Sequence, residues 1–521
     1  MEICWVLIGA WKSNKKEYSP FDYYMNRKVT LLYISLACVL SMQAQTRQQM
    51  GGVYYAYPEG PSYKTGTFGK ATYMMSDSLN VPQGYAPFYI SHYGRHGSRW
   101  MPKDDRYVWI CKHFEDESNL TPLGLQVKGM LQRVWENAKG NGGKLSKLGA
   151  LQHQGIAHRM FERYPQIFAA GNAVKARSSV VDRCAKSMQA FTSELHTLQS
   201  GLNLDVKTDS ADMAWIAYVS PEVKDLENRT HVQAQVSPRR FLLQLFKDVS
   251  KVDEPLKLMT EMHTVASSIQ DVGLNFSSYP QDIEDGLNAL FTDDEFRAIY
   301  DANNLRMTIN NGTVATNEDI PARSAISLWQ NIEAEADRAL RSVKSSATLR
   351  FGHDTALYRL LSLLFDVNVP PAGAREEASL VVLGDELEKM DRVVPMAANL
   401  QMIFYKNAKD SVLVKFMLNE RDVMLSPVGQ VIYGTHYYSW NAWKQEMHER
   451  IHRLEHIRQL NAINTMVGTA QANTQTAGMF GKGSEEHGQT IPAVLVPNGQ
   501  NFWTPQTQDT EQKCIAPYYY K

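Results

Sequence analysis

The stretch Ala86-Pro87-Phe88-Tyr89-Ile90-Ser91-His92 leads directly into Arg95-His96-Gly97-Ser98-Arg99. The first part is a short apolar run of the kind a buried strand supplies. The second is a loop that sets one imidazole between two permanent cations. A neutral imidazole can attack phosphorus, while guanidiniums hold the phosphate oxygens and absorb charge as it shifts in the transition state. Arginine suits this better than lysine because its planar fork meets two oxygens at once. The plain alternative is a basic surface turn with a solvated histidine, so the rest of the chain has to decide.

Working outward, strand and helix patterns alternate on both sides of a long helical block. Residues 45–80 are rich in Gly, Tyr, Ser and Thr and read as an irregular lead-in. After the first strand, Leu123-Gly124 and Leu148-Gly149 each introduce helical spacing, the second running through His153, Ile156 and Met160 to Tyr164-Pro165. Ala173 to Arg177 is a short extended run. Cys184, Met188, Phe191, Leu195 and Leu198 then fall at helical spacing, with Ser178, Ser179 and Asp182 as capping residues. From 203 to 345 the pattern is helical, including 241–246, 283–300 and 326–340. Alternation returns with 348–352 as a strand, 355–365 as a helix, and 400–405 and 412–418 as late strands. This order predicts an α/β fold: a central, mostly parallel sheet flanked by helices, with a helical insertion domain. The phosphate-directed domain then falls in two parts, 45–202 and 346–461, followed by a polar low-complexity tail over 462–521.

Composition sets outer limits. The 521 residues are 44% hydrophobic and 21% charged, ordinary for a globular protein. A formal net charge of −1 provides no global field for nucleic acid, so an anionic substrate must be met by a local basic pocket. Asn26-Arg27-Lys28 precedes the apolar stretch from Val29 to Met42, which ends in Gln43-Ala44-Gln45. A basic start, a short apolar middle and a small residue describe a secretory signal peptide over 25–44, with residues 1–24 an upstream extension before Met25. Export to the periplasm, cell surface or medium is the expectation, with no membrane span in the mature chain. Cys38 is a poor lipidation candidate, because Ser35 stands where a lipobox has leucine. Cys111, Cys184 and Cys514 remain, enough for one disulfide pair but not for a disulfide framework.

Two further places complete the first motif. Arg183 falls in the opening turn of the helix that follows Arg177, where amide groups and the helix dipole already favour an anion. An arginine there opposes the dipole unless an anion or carboxylate meets it. Phe351-Gly352-His353-Asp354-Thr355 joins a strand to a helix with the stripe Leu357, Leu360, Leu361 and Leu364. His353 and Asp354 thus sit at a strand's C-terminal end, where open α/β sheets place their ligand crevice. A carboxylic acid there can supply the proton that a leaving alkoxide needs. By itself, Asp354 reads equally as a helix cap.

Arg95-His96-Gly97-Ser98-Arg99, Arg177-Ser178-Ser179 with Asp182-Arg183, and His353-Asp354 together resemble the three signature blocks of the histidine phosphatase superfamily. The similarity is to its second branch, which holds acid phosphatases, phytases and multiple inositol polyphosphate phosphatases. Leu145 to Gly149 with Gln152-His153 and Arg163-Tyr164-Pro165 resembles that branch's next helix, so the likeness spans roughly 85–200 and 345–430. The resemblance implies a phosphomonoesterase with His96 as nucleophile and Asp354 as proton donor. Arg95, Arg99, Arg183 and His353 would bind the substrate phosphate, and neither metal nor cofactor is implied. The partner implied is a small phosphorylated substrate, an inositol polyphosphate among the candidates, with Lys103 and Lys112 available for further phosphates. Two departures stand out: Met101 replaces the usual proline, with Pro102 one place later, and His353-Asp354-Thr355 stands where inositol-polyphosphate enzymes often carry His-Ala-Glu.

A rival from another class is His448-Glu449-Arg450-Ile451-His452, which matches the zinc-peptidase HExxH pattern on a helix. Against it, Arg450 and Arg453 put charge into and beside the motif, and His456 continues the row as a polar face would. A non-catalytic phosphate-binding protein on the same fold is the other alternative, but it is expected to have lost His96 or the donor.

Overall fold

Strand β1 (Tyr85–Arg95) is buried without interruption from Tyr89 to its end. Its side chains alternate between two cores, as the two-residue period of a strand requires. Tyr89 and Tyr93 join Leu357, Leu361 and Phe404 on one face, while Ile90 joins Leu349, Phe351, Phe191 and Ile403 on the other. A strand covered on both sides reads as a continuous apolar run, which is why 86–92 shows no polar alternation.

The computed structural model describes residues 45–57, 81–277, 280–342, 344–364, 389–423 and 437–479. The readings of 1–24 and 25–44, and Cys38 and Cys514, lie outside the described residues. The chain divides into two compact units, Met1–Ile457 and Arg458–Lys521.

After β1 come α1 (Asp104–Lys112), α2 (Pro122–Ala138), α3 (Lys147–Arg163), β2 (Ala173–Ser178), α4 (Asp182–Leu198) and β3 (Asn203–Thr208). The helical block follows, with α5 (Pro255–Val272), α6 (Gln281–Asn288), α7 (Asp293–Asn311) and α8 (Ile326–Leu340) as its longer described helices. The sheet resumes with β4 (Ser345–Gly352), α9 (Asp354–Leu364), β5 (Asn399–Asn407), β6 (Val412–Leu418), β7 (Arg421–Val423) and β8 (Tyr437–Ser439), before α10 (Trp440–Met479). The strands order as β3-β2-β4-β1-β5-β6-β7, with β8 also on β6. β3, β2, β4 and β1 are mutually parallel, and β5 to β8 add an antiparallel half. The sheet is therefore mixed, with its parallel strands central to the site. No described helix is long and apolar enough to cross a membrane.

Three details depart from the sequence reading. Residues 203–208, placed at the start of the helical insertion, form the edge strand β3. Five of its six residues are exposed, so it carries no apolar pattern to read. The stretch 283–300 is two helices, because Thr292 and Glu295 form a reciprocal capping box that starts α7 afresh. The tail expected from 462 is helical to Met479, and the rest lies outside the described residues.

Candidate active site

The register of three parallel strands builds the site. Arg95, the last residue of β1, pairs with Gly352, the last of β4, and Ser178, the last of β2, pairs with Phe351. All three strands thus end at one level, and each releases a motif there: His96 to Arg99 after β1, Ser179 to Arg183 after β2, His353-Asp354 after β4. Residues far apart in sequence meet because parallel neighbours share a carboxyl edge.

His96 is buried, with its backbone N–H on Gly352 O at 3.0 Å. Its Nδ1 lies 2.9 Å from Gly97 O. A carbonyl only accepts, so Nδ1 carries the proton and Nε2 keeps its lone pair. Burial, then the charges of Arg183, Arg95 and Arg99, hold the imidazole well below the ordinary histidine range. The ring is therefore neutral through the physiological range, as a nitrogen nucleophile must be. The His353 ring stands 5.8 Å away, nearly edge-on.

Arg95 and Arg99 are each held by groups of the protein. Arg95 is fully buried; its Nη1 donates to Val394 O at 2.6 Å, and its backbone N–H donates to Ala398 O at 2.7 Å. Between these acceptors Ala397 adopts φ 58°, a strained conformation for a residue with a Cβ, while donating to His96 O at 3.0 Å. Arg99 donates to Trp100 O at 2.9 Å and lies 5.3 Å over the Tyr54 ring. The Nε of Arg183 is buried with no hydrogen-bond partner among the described residues. Burial and the neighbouring Arg99 charge lower the Arg183 pKa. Three guanidiniums so crowded repel one another, and an anion relieves that repulsion.

Asp354 is the first residue of α9 and lies 3.1 Å from Arg95 Nη2. Burial pushes its carboxyl up, but Arg95, Arg99 and His353 outweigh burial and hold it below the usual aspartate value. The two arginines that face Asp354 thus favour its carboxylate form. His353 is lowered to about 3 by burial and Arg183, with Asp354 opposing. Its Nε2 is 3.2 Å from the Ser179 hydroxyl, and Cys184 Sγ packs 3.8 Å from the same nitrogen.

All six motif residues thus lie close together at the carboxyl ends of the parallel strands, in a cationic cluster suited to a small anion. The cap of α4 differs from expectation: Val181 takes that place, and Ser179 accepts the Val181 N–H instead. Lys103 caps α1 and Lys112 lies in its last turn; both are exposed. Met101, at the family's proline position, is buried and accepts the Gly143 N–H at 2.8 Å. In the HExxH segment His448 and His452 are exposed, His448 Nε2 rests 2.8 Å from Glu333, and Arg450 is the residue that turns inward. Cys111 and Cys184 are both free thiols. Sequence reasoning missed Tyr54, Ala397 and Asp271, the last a buried acid of α5.

No family model matches the chain. It is 22% identical over 338 residues to multiple inositol polyphosphate phosphatase 1 of Gallus gallus, covering 62% of this chain and 73% of the relative. Among solved structures, Bifidobacterium longum multiple inositol polyphosphate phosphatase in complex with inositol hexasulfate superposes with a TM-score of 0.57 at 16% identity, covering 77% of this chain and 97% of the other. The phytase from D. castellii gives 0.53 at 13% identity, covering 78% and 85%. These structures share the α/β fold seen here. In its motifs, its fold and its curated relative alike, the chain is similar to the histidine phosphatase superfamily, in the branch of acid phosphatases, phytases and multiple inositol polyphosphate phosphatases.

Proposed function

We propose that this protein is an exported phosphomonoesterase that works in two steps through a phosphorylated His96. Arg95, Arg99, Arg183 and His353 take the phosphate oxygens, His96 Nε2 attacks phosphorus, and Asp354 hands a proton to the departing alkoxide. Water then attacks the phosphohistidine, with Asp354 accepting its proton, and phosphate leaves. The observation that carries this reading is the 2.9 Å contact from His96 Nδ1 to Gly97 O, which leaves Nε2 unprotonated among three guanidiniums. Charge complementarity from fixed donors supplies the transition-state stabilisation.

The facing arginines favour the carboxylate form of Asp354, so it takes its proton from solvent as the substrate binds. A phosphate dianion cancels the arginine charges that lower the carboxyl and adds a negative charge of its own, and both raise the pKa. Inositol polyphosphates are the favoured substrate class, on the names of the relatives and on Lys103 at the start of α1, directly after the phosphate loop. The basic and apolar run over 25–44 supports export to the periplasm or cell surface.

The test is phosphate release, with chelator present, from inositol hexakisphosphate, glucose 1-phosphate and an aryl phosphate. Chelator-resistant turnover that vanishes in His96→Ala is expected. Activity retained by that variant overturns the mechanism, and absence of turnover on all three substrates favours a phosphate-binding role.

A further inference from the structure

Ser98 lies between the two halves of the phosphate loop, and every polar group it has is engaged. Its N–H donates to Gln152 Oε1 at 2.8 Å. Its carbonyl accepts the Ser146 N–H at 2.9 Å, with the Ser146 hydroxyl 3.0 Å away. Its own hydroxyl accepts from Gln152 Nε2 at 2.8 Å and donates to Asp271 Oδ1 at 2.5 Å. Gln152 and Ser146 belong to α3 and its cap, within the α/β part. Asp271 comes from α5 of the helical block, 173 residues further on.

Asp271 is fully buried, and its Oδ2 has no hydrogen-bond partner among the described residues. Its backbone carbonyl lies 2.7 Å from the Ser146 hydroxyl, so the same residue ties into the network twice. A buried acid is costly to keep unless its site uses it. Burial pushes its carboxyl well above the ordinary range, with Ser98, Arg95 and Arg99 opposing, so a neutral side chain of the same shape suits the place. Among the described residues, Asp271 Oδ1 holds the hydroxyl of Ser98, and Ser98 is flanked by Gly97 and Arg99. A shift of Ser98 would therefore carry the His96 ring, held by Gly97 O, and the Arg99 fork with it.

We propose that Asp271 is a positioning residue for the phosphate loop: by accepting the Ser98 hydroxyl, the helical block fixes where His96 and Arg99 stand. This rests on the phosphomonoesterase reading above. Asp271 does not touch the substrate; it acts through Ser98. Displacements well under an ångström at a nucleophile and its clamp are enough to lower turnover, because in-line attack depends on alignment.

The experiment compares Asp271→Ala, Asp271→Asn and Ser98→Ala on an aryl phosphate, with inhibition by inorganic phosphate and melting temperature measured in parallel. Removing either partner is expected to lower kcat by about tenfold or more and to weaken phosphate inhibition. The asparagine variant keeps an oxygen for Ser98 and is expected to hold kcat within about threefold of the parent. In the double variant Ser98→Ala/Asp271→Ala, the loss is expected to be no larger than the worse single loss, as for two ends of one bond. A purely structural role lowers the melting temperature but leaves kcat per folded molecule unchanged, and that result overturns the proposal. So does an asparagine variant as impaired as the alanine one. Should Asp271→Ala fail to fold, Ser98→Ala and Asp271→Asn decide by the same criteria. Loss of activity in His96→Ala, measured alongside, separates failure of this proposal from failure of the mechanism on which it rests.

Discussion

The Arg95 guanidinium, completely buried, lies 3.1 Å from the Asp354 carboxylate and between that group and Val394 O. In the proposed mechanism, the cation assigned to the phosphate is thus already paired with the group assigned to donate the proton. On that mechanism, substrate competes with Asp354 for Arg95, and its success changes the ionisation of Asp354.

Anion binding therefore takes up a proton. Facing the arginines, the carboxyl lies below its usual value, and a bound dianion raises it, so uptake occurs at pH values between the two. Sulfate, dianionic at pH 5, is the clean probe. Titration calorimetry in two buffers of different ionisation enthalpy is expected to show net uptake that disappears in Asp354→Asn. Heats that do not depend on the buffer would count against this coupling.

Replacing the donor also has a leaving-group signature. Asp354→Asn is expected to lower kcat by about 10² to 10⁴ on an alkyl phosphate, the usual span for a lost general acid. On 4-nitrophenyl phosphate, whose leaving group needs no proton, the loss should be far smaller. Equal losses on both substrates would mean that Asp354 serves only to hold Arg95.

Acid should weaken the fold even though the chemistry needs protons. Burial lowers His92, His153 and His263 each to about 3, against about 6.5 unfolded. The unfolded chain then binds more protons as pH falls. Stability is fully present above about pH 6.5 and is lost progressively towards pH 3, on the order of 2 kcal/mol per histidine by pH 5. Melting temperatures at pH 7.5 and pH 5 measure this. His263, packed 4.1 Å from the Phe296 ring centroid and remote from the site motifs in sequence, offers the check: His263→Leu should flatten the dependence.

Two glycines give opposite outcomes. A Cβ on Gly149 would fall 2.2 Å from Ser98 O, a backbone atom that cannot yield without moving the phosphate loop. Gly149→Ala is expected to lower kcat at least tenfold, about 1.4 kcal/mol in the barrier. Gly129, exposed in the middle of α2, has nothing within 4 Å of such a Cβ. Gly129→Ala should stabilise by about 0.5–1 kcal/mol with turnover unchanged. Urea denaturation and kcat on the same preparations test both.

Much of the site was legible because its signals are local. An imidazole between arginines, an arginine in a helix's first turn and a His-Asp pair at a strand-to-helix junction can each be read in a five-residue window. Burial and charge balance cannot. Asp354 reads as a proton donor by type, yet the facing arginines set its resting state. Asp271 reads as an ordinary helix acid, like Glu261 of the same helix, until Ser98 is seen beside it.

What the residues alone determined was the periodicity of β1, β2, β4, α4 and α9 and the chemical kinds of the six groups between them, since apolar spacing and side-chain chemistry need no distant neighbour. Tertiary structure alone decided that β2, β4 and β1 end level, that Tyr54 lies under Arg99, that β3 extends the sheet where the pattern showed no strand, and that a helix of the insertion reaches Ser98. These contacts close loops of many tens of residues, and their energies come from burial and electrostatics that exist only once the chain has folded.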